Sequence, residues 1–154
     1  MLHSYYFLKQ NIITQETIFL KFKKITENQT LVDEINILQN LTADVEISWL
    51  QWSDTVDDYN IMITDTYKSS LEVFFDYNDC QFCLKIVLFL TEQLISCLKF
   101  LHFRFIIYDN LSSKMLTLSS ASWQSHQMIL TNFNAAQKYN ESDSFAWCDL
   151  EALD

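Results

Sequence analysis

The chain contains neither glycine nor proline among its 154 residues. Average proteins use glycine at about 7% and proline at about 5% of positions, so both residues would ordinarily occur several times in this length. Turns and helix ends must therefore use Asn, Asp and Ser, which tolerate a positive φ or hydrogen-bond to their own backbone. Asparagines occupy suitable positions between the apolar runs, at Asn28, Asn40, Asn60, Asn78, Asn110 and Asn140.

The absence of glycine also excludes several functional motifs. Walker loops, dinucleotide-binding fingerprints and nucleophile elbows each need glycine where the backbone turns tightly or approaches a phosphate. An EF-hand loop needs glycine at its sixth position, so the acidic run at residues 54–58 is not a standard calcium loop. The chain therefore lacks the common nucleotide-binding and hydrolase signatures.

The composition predicts a folded chain. Hydrophobic residues make up 49% and aromatic residues 15% of the sequence. This apolar area can offset the conformational entropy lost on folding, and the length suits one hydrophobic core. We expect a single domain over residues 1–154, with an acidic C-terminal tail from about residue 140 to 154.

Charge is unevenly distributed along the chain, whose formal net charge is −10. Residues 44–79 contain nine acidic and one basic residue, and residues 139–154 contain five acidic residues and no basic one. Binding to nucleic acid or to an anionic membrane needs a basic footprint, so both are disfavoured. The charge pattern favours a basic protein partner.

The spacing of apolar residues predicts the first elements. Alternation predicts a strand over residues 18–22, with the Lys21 and Lys23 side solvated, and a capped amphipathic helix from Thr30 to Leu41. Further alternation predicts three consecutive strands over residues 45–49, 59–63 and 71–77, joined by turns such as Asp57-Asp58. These strands would form a central antiparallel meander.

The second half is less regular. Residues 84–90 suit either a buried strand or the start of a helix, and residues 91–101 suit a helix. Strands over 103–107 and 115–119 and a closing helix over 122–139 complete the prediction. The fold class is therefore α+β: a largely antiparallel sheet, with a central meander, and two or three helices packed on one face.

No residue cluster predicts catalysis or a cofactor. Cys80-Gln81-Phe82-Cys83 has the spacing of a metal or redox pair, but no second spaced pair completes a zinc site, so two ordinary thiols are expected. The three histidines form no recognisable dyad. A paired-acid hydrolase stays open, because two carboxylates need only converge in space. We predict no enzyme activity, no cofactor and no metal site.

The acidic meander provides the candidate binding surface. If Ile47, Trp49, Ile61 and Ile63 face the core, the acidic side chains share the opposite face with a methionine and an aromatic residue. Charges would steer encounter, and the apolar side chains would supply binding energy. The alternatives are a solvated face that keeps the protein soluble, or a face covered by a helix. The predicted partner-binding residues are Asp44, Glu46, Trp52, Asp54, Asp57, Asp58, Met62, Glu72, Phe74 and Asp76.

These features favour an immunity or antitoxin-type inhibitor that neutralises a basic protein toxin, in particular a nuclease with a cationic cleft. The alternatives are a viral or plasmid DNA mimic that occupies a host DNA-binding protein, and a structural or assembly subunit. We expect a cytoplasmic location, because the chain starts without a basic segment followed by an apolar stretch. The most apolar segment, residues 84–108, is interrupted by charges and predicts no membrane span.

Overall fold

The computed structural model describes residues 5–13, 15, 17–27, 29–41, 46–67, 69–118 and 127–139. These residues form an α+β fold with one four-stranded antiparallel sheet, two small two-stranded sheets and three α-helices, which confirms the predicted fold class. The strands are β1 (Tyr5–Gln10), β2 (Thr17–Lys24), β3 (Leu50–Val56), β4 (Tyr59–Asp65), β5 (Ile106–Tyr108), β6 (Leu116–Leu118), β7 (Met128–Leu130) and β8 (Ala136–Lys138), and the helices are α1 (Gln29–Asn40), α2 (Leu71–Tyr77) and α3 (Leu84–Phe103).

The four-stranded sheet has the order β1-β2-β4-β3, and every neighbouring pair is antiparallel. Strand β2 and helix α1 confirm the predicted elements at 18–22 and 30–41. The predicted three-strand meander is wrong: only its β3–β4 hairpin is present, and the strand on the other side of β4 is β2, which comes from earlier in the chain. Strand β1 was not predicted.

The β3–β4 hairpin turns at Asp57-Asp58, as predicted, and Asp57 adopts a φ of 52°. Aspartate tolerates this left-handed conformation, which glycine would usually supply. The strand before the turn covers Leu50–Val56 instead of residues 45–49. Ile47 is buried as predicted and forms a bridge to Leu130, whereas Trp49 is exposed instead of facing the core.

Residues 71–77, predicted as a strand, form helix α2. The Ser70 hydroxyl accepts a hydrogen bond from the Val73 N–H. The negative charge of Glu72 in the first turn interacts favourably with the positive end of the helix dipole. Asn78 closes the helix with a backbone bond to Phe75 and a side-chain bond to the Phe74 carbonyl. Seven residues are too few to distinguish the two periodicities, and capping favours the helix.

The ambiguous residues 84–90 belong to α3, which runs unbroken from Leu84 to Phe103. The strand predicted at 115–119 is confirmed in shorter form as β6. The strand predicted at 103–107 is confirmed only at Ile106 and Ile107, because α3 continues to Phe103 and β5 begins at Ile106. The predicted closing helix over 122–139 is wrong for residues 127–139, which contain strands β7 and β8. Residues 122–126 of that prediction lie outside the described residues. The predicted acidic tail from residue 140 onward lies outside them as well. No helix in the described ranges combines the length and apolarity that crossing a membrane requires.

The core lies between α1, α3 and the short strands. Helix α1 packs against β3 and β4, α3 against β5 and β7, and α2 against β6. Most of the apolar area removed from water therefore lies on the inner side of the four-stranded sheet. The buried side chains that pack together in this core are Leu31, Ile37, Leu38, Leu41, Ile47, Met62, Cys97, Leu101, Ile106, Tyr108, Leu116, Met128, Leu130, Phe133 and Ala136.

Candidate partner-binding surface and cleft

The two faces of the four-stranded sheet have the opposite orientation to the prediction. Met62 and Thr64, expected on the solvated side, are buried on the face that α1 covers. Lys21 and Lys23 of β2 are buried on this same inner face, because directly paired residues of neighbouring strands point to one side. The alternation was predicted correctly, but the side that faces the core was not.

Glu34 explains why the lysine side of β2 faces the core. This α1 carboxylate forms a buried ion pair with Lys21, and its second oxygen accepts a hydrogen bond from the Phe133 N–H at 3.0 Å. Lys23 in turn donates to the Thr30 hydroxyl at 2.9 Å. The sequence contains one signal of this arrangement: Glu34 lies three residues after Leu31 and four before Leu38, which places it on the apolar face of α1.

The outer face of the sheet, opposite α1, is rich in aromatic and aliphatic side chains. Strand register defines its two longest rows, and the five most exposed apolar side chains of this face are 37–45% exposed. The first row is Tyr5, Phe22, Ile61 and Asp54; the second is Phe7, Leu20, Ile63 and Trp52; a shorter third row is Lys24, Tyr59 and Val56. We call this set of side chains the outer face.

Aromatic contacts order the centre of the outer face. The Phe22 ring stacks on Tyr5 and Phe7 at centroid distances of 5.2 and 5.8 Å and meets Tyr59 edge-on at 5.7 Å. Such contacts restrict the rotamers of large side chains before any partner binds, which lowers the entropic cost of association. No described element packs on this face.

Acidic side chains lie at the β3–β4 end of the outer face. Asp54 ends the first row and is exposed, and Asp57 and Asp58 form the exposed hairpin turn. Asp58 is anchored through its carbonyl, which accepts the Ile25 N–H at 2.8 Å. Lys24 beside Tyr59 is the nearest basic residue in the same rows, so the hairpin end is acidic on balance.

Four of the predicted binding residues therefore lie together: Trp52, Asp54, Asp57 and Asp58. Met62 does not join them, because it is only 3% exposed. Asp44 lies outside the described residues. Glu46 precedes β3, and its carbonyl accepts the Leu130 N–H.

The other three predicted residues lie on α2, outside the sheet. Glu72 forms an exposed ion pair with Lys114 at 3.8 Å. The Phe74 ring packs on Phe82 at 5.5 Å, and the Asp76 carboxylate lies 3.8 Å from the Cys80 thiol. The acids of α2 and of the hairpin therefore form separate groups.

A cleft of about 300 Å³ lies on the inner side of the sheet, between β1, β2, β4, α1 and the β6–β7 sheet. Its walls include Tyr6, Phe19 and Leu38, and its polar groups include the Lys21–Glu34 pair and Thr64. This volume is at the lower end of the range found for small-ligand sites. Sequence reasoning missed the cleft, because its lining comes from segments distant in the chain.

Two tyrosines near the cleft are held in the neutral form. Burial raises the pKa of Tyr67, whose hydroxyl oxygen accepts the Trp49 N–H at 2.9 Å. Burial, and then the nearby Glu34 carboxylate, raise the pKa of Tyr108 well above its usual value of about 10. The Tyr108 hydroxyl donates to the Thr131 carbonyl at 2.6 Å, which is consistent with a protonated phenol.

The Cys80–Cys83 pair lies at the N-terminus of α3, with both thiols exposed and reduced. In the described part of the chain, no three His, Cys, Asp or Glu side chains come close enough to hold a metal ion. No protein-family model matches the chain.

Proposed function

We propose that this chain is a binding protein that holds a protein partner on the outer face. The observation that carries the proposal is the continuous set of aromatic and aliphatic side chains in the rows of Phe22 and Trp52, which no described element of the fold covers. Monomeric soluble proteins rarely expose large contiguous apolar patches unless these bind something. Trp and Tyr are also the residues that most often dominate binding energy at protein interfaces.

The acids at the hairpin end define the chemistry of the partner. Asp54, Asp57 and Asp58 border the apolar rows, so a complementary surface would combine an apolar centre with Lys or Arg at one edge. The chain's formal net charge of −10 would further accelerate encounter with a basic protein. In its narrower form, the proposal is an immunity or antitoxin-type inhibitor of a basic toxin, such as a nuclease.

A DNA mimic is less well supported. It would need carboxylates spaced like phosphates along one surface, whereas Glu72 and Asp76 of α2 lie apart from the hairpin acids. The centre of the outer face is apolar, which suits a protein partner better than the polar surface of a DNA-binding cleft.

The test begins with the product of the gene adjacent to the one that encodes this chain. The two proteins are co-expressed, the complex is purified, and rescue of cell growth from the toxicity of that product is measured. Failure to form a complex or to restore growth would overturn the toxin-inhibitor form of the proposal.

Variants then test the surface. We expect Trp52→Ala to weaken the complex at least tenfold, as for a central aromatic residue at an interface. Asp54→Asn with Asp58→Asn should slow association several-fold at low salt and much less at high salt. Tyr77→Ala is the control, because Tyr77 is 87% exposed on α2 and outside the sheet. A complex that none of these outer-face variants weakens would contradict the assignment of the surface.

A further inference from the structure

The inner cleft has a polar floor and an open mouth. Lys21, Glu34 and Thr64 line it, and all three residues are at most 5% exposed. Tyr6 and Leu8 of the edge strand β1 also line it, and they are 50% and 67% exposed. A small molecule could therefore enter past β1 and reach the buried polar groups.

At the floor of the inner cleft, Lys21 and Thr64 keep hydrogen-bond donors without an acceptor. Both Glu34 oxygens are engaged, one by Lys21 and one by the Phe133 N–H. The Lys21 ammonium donates to Glu34 and lies over the Tyr6 ring, 5.6 Å from its centroid; among the described residues, no oxygen or nitrogen accepts its other two N–H groups. The Thr64 hydroxyl, on a residue that is 5% exposed, has no hydrogen-bond partner among the residues that the structure describes.

Unsatisfied buried polar groups are costly and uncommon in folded proteins. The Lys21 ammonium and the Thr64 hydroxyl are two such groups in one cleft. They indicate a position where a ligand supplies a hydrogen-bond acceptor. The Thr64 hydroxyl can donate one hydrogen bond and the Lys21 ammonium two more, so the missing group is an oxygen acceptor.

Charge narrows the ligand class. Glu34 already balances the Lys21 charge, so a carboxylate ligand would be buried at the floor of the cleft without a counter-charge of its own. A cationic ligand would meet the Lys21 ammonium at the floor. The walls contain Phe19 and Leu38, and the Tyr6 ring stacks on Phe19 at 5.8 Å, so the ligand body should be flat and apolar.

We infer that this cleft is a binding site for a small neutral molecule with an aromatic body and one carbonyl or hydroxyl oxygen, which accepts hydrogen bonds from Lys21 and Thr64. This site lies on the opposite side of the sheet from the outer face and does not depend on the proposed partner.

The test uses three probes that share one ring: benzamide, benzoate and benzylammonium. Each is titrated into the ¹⁵N-labelled full chain, and the backbone amide signals are followed by NMR. We expect benzamide to produce saturable shifts centred on Lys21, Glu34 and Thr64. The two charged probes should bind about tenfold more weakly: benzoate because its charge would be buried without a counter-charge, and benzylammonium because it offers no acceptor. Absence of saturable shifts with benzamide, or equal binding of all three probes, would overturn the inference.

Variants check that the shifts report the cleft. Thr64→Val removes the unpartnered hydroxyl with little change of shape, so the chain should stay folded while benzamide binding weakens about fivefold or more. Leu8→Ala at the exposed mouth removes part of the apolar wall and should weaken binding on the order of threefold. Ile61→Val is the matched control, because it lies on the same strand as Thr64 but on the outer face.

Unchanged benzamide binding in both cleft variants would contradict the inference. Trp52→Ala should retain full benzamide binding, so failure of the partner-binding proposal and failure of the cleft site give different results.

Discussion

The Lys21 ammonium and the Glu34 carboxylate form an ion pair in which the two side chains are 5% and 2% exposed. The pair joins the middle of the sheet to the inner side of α1, and Glu34 also holds the Phe133 N–H after β7. These contacts explain why a strand with two lysines on one side turns that side toward the core. The apolar side of the sheet is left facing outward.

Removing one partner of this ion pair should be strongly destabilising. Lys21→Met leaves the Glu34 carboxylate buried without its counter-charge, and we expect a loss of about 3–5 kcal/mol in the free energy of unfolding. Adding Glu34→Gln should restore much of this loss, because the glutamine oxygen can still accept the Phe133 N–H. Urea denaturation measures both effects.

Lys24→Met, an exposed neighbour on β2, is the control and should change stability by less than about 0.5 kcal/mol. Equal stability of Lys21→Met and wild type would contradict the buried pair.

Stability should decline in alkaline solution because of Tyr108. Its folded-state pKa is raised above the unfolded value of about 10, mainly by burial and then by Glu34. The unfolded chain therefore releases this proton first, so the contribution is complete below about pH 10 and is lost as pH rises further. Urea denaturation between pH 8 and 11 should give a shallower alkaline decline for Tyr108→Phe than for wild type. Adding Tyr67→Phe should reduce the decline further, since burial also raises the pKa of Tyr67. Identical slopes in all three proteins would be inconsistent with these shifts.

The helical assignment of residues 71–77 can be tested with a matched pair of valines. Val73 on α2 is 54% exposed and Val56 on β3 is 45% exposed. Val73→Ala should raise the free energy of unfolding by a few tenths of a kcal/mol, because alanine has the higher helix propensity. Val56→Ala should lower it by about 0.5–1 kcal/mol, because β-branched residues are favoured in strands. If Val73→Ala destabilised the protein as much as Val56→Ala, residues 71–77 would have to be a strand.

The spacing of apolar residues and the turn residues predicted those elements that form from contacts between residues close in sequence. The amphipathic pattern predicted α1, although this helix begins at Gln29 and so includes Thr30, which was expected to cap it. Alternation on both sides of Asp57-Asp58 predicted a hairpin there. Residues 71–77 were predicted wrongly, because seven residues with alternating apolar positions also satisfy a short helix once Ser70 caps it. Of the predicted binding residues, the structure brings together those on this hairpin, Trp52, Asp54, Asp57 and Asp58.

The sequence by itself determined an acidic chain without glycine or proline that folds into the α+β class, because composition and the spacing of apolar residues act locally. Only the tertiary structure decided which side of the sheet is buried. That choice depends on the pairing of Lys21 with Glu34, which are 13 residues apart, and on the Phe133 N–H, 99 residues from Glu34. The alternation of apolar and polar residues along a strand shows that the two faces of the sheet differ. It does not specify which face a helix covers. The inner cleft and the exposed outer face both follow from that one long-range choice.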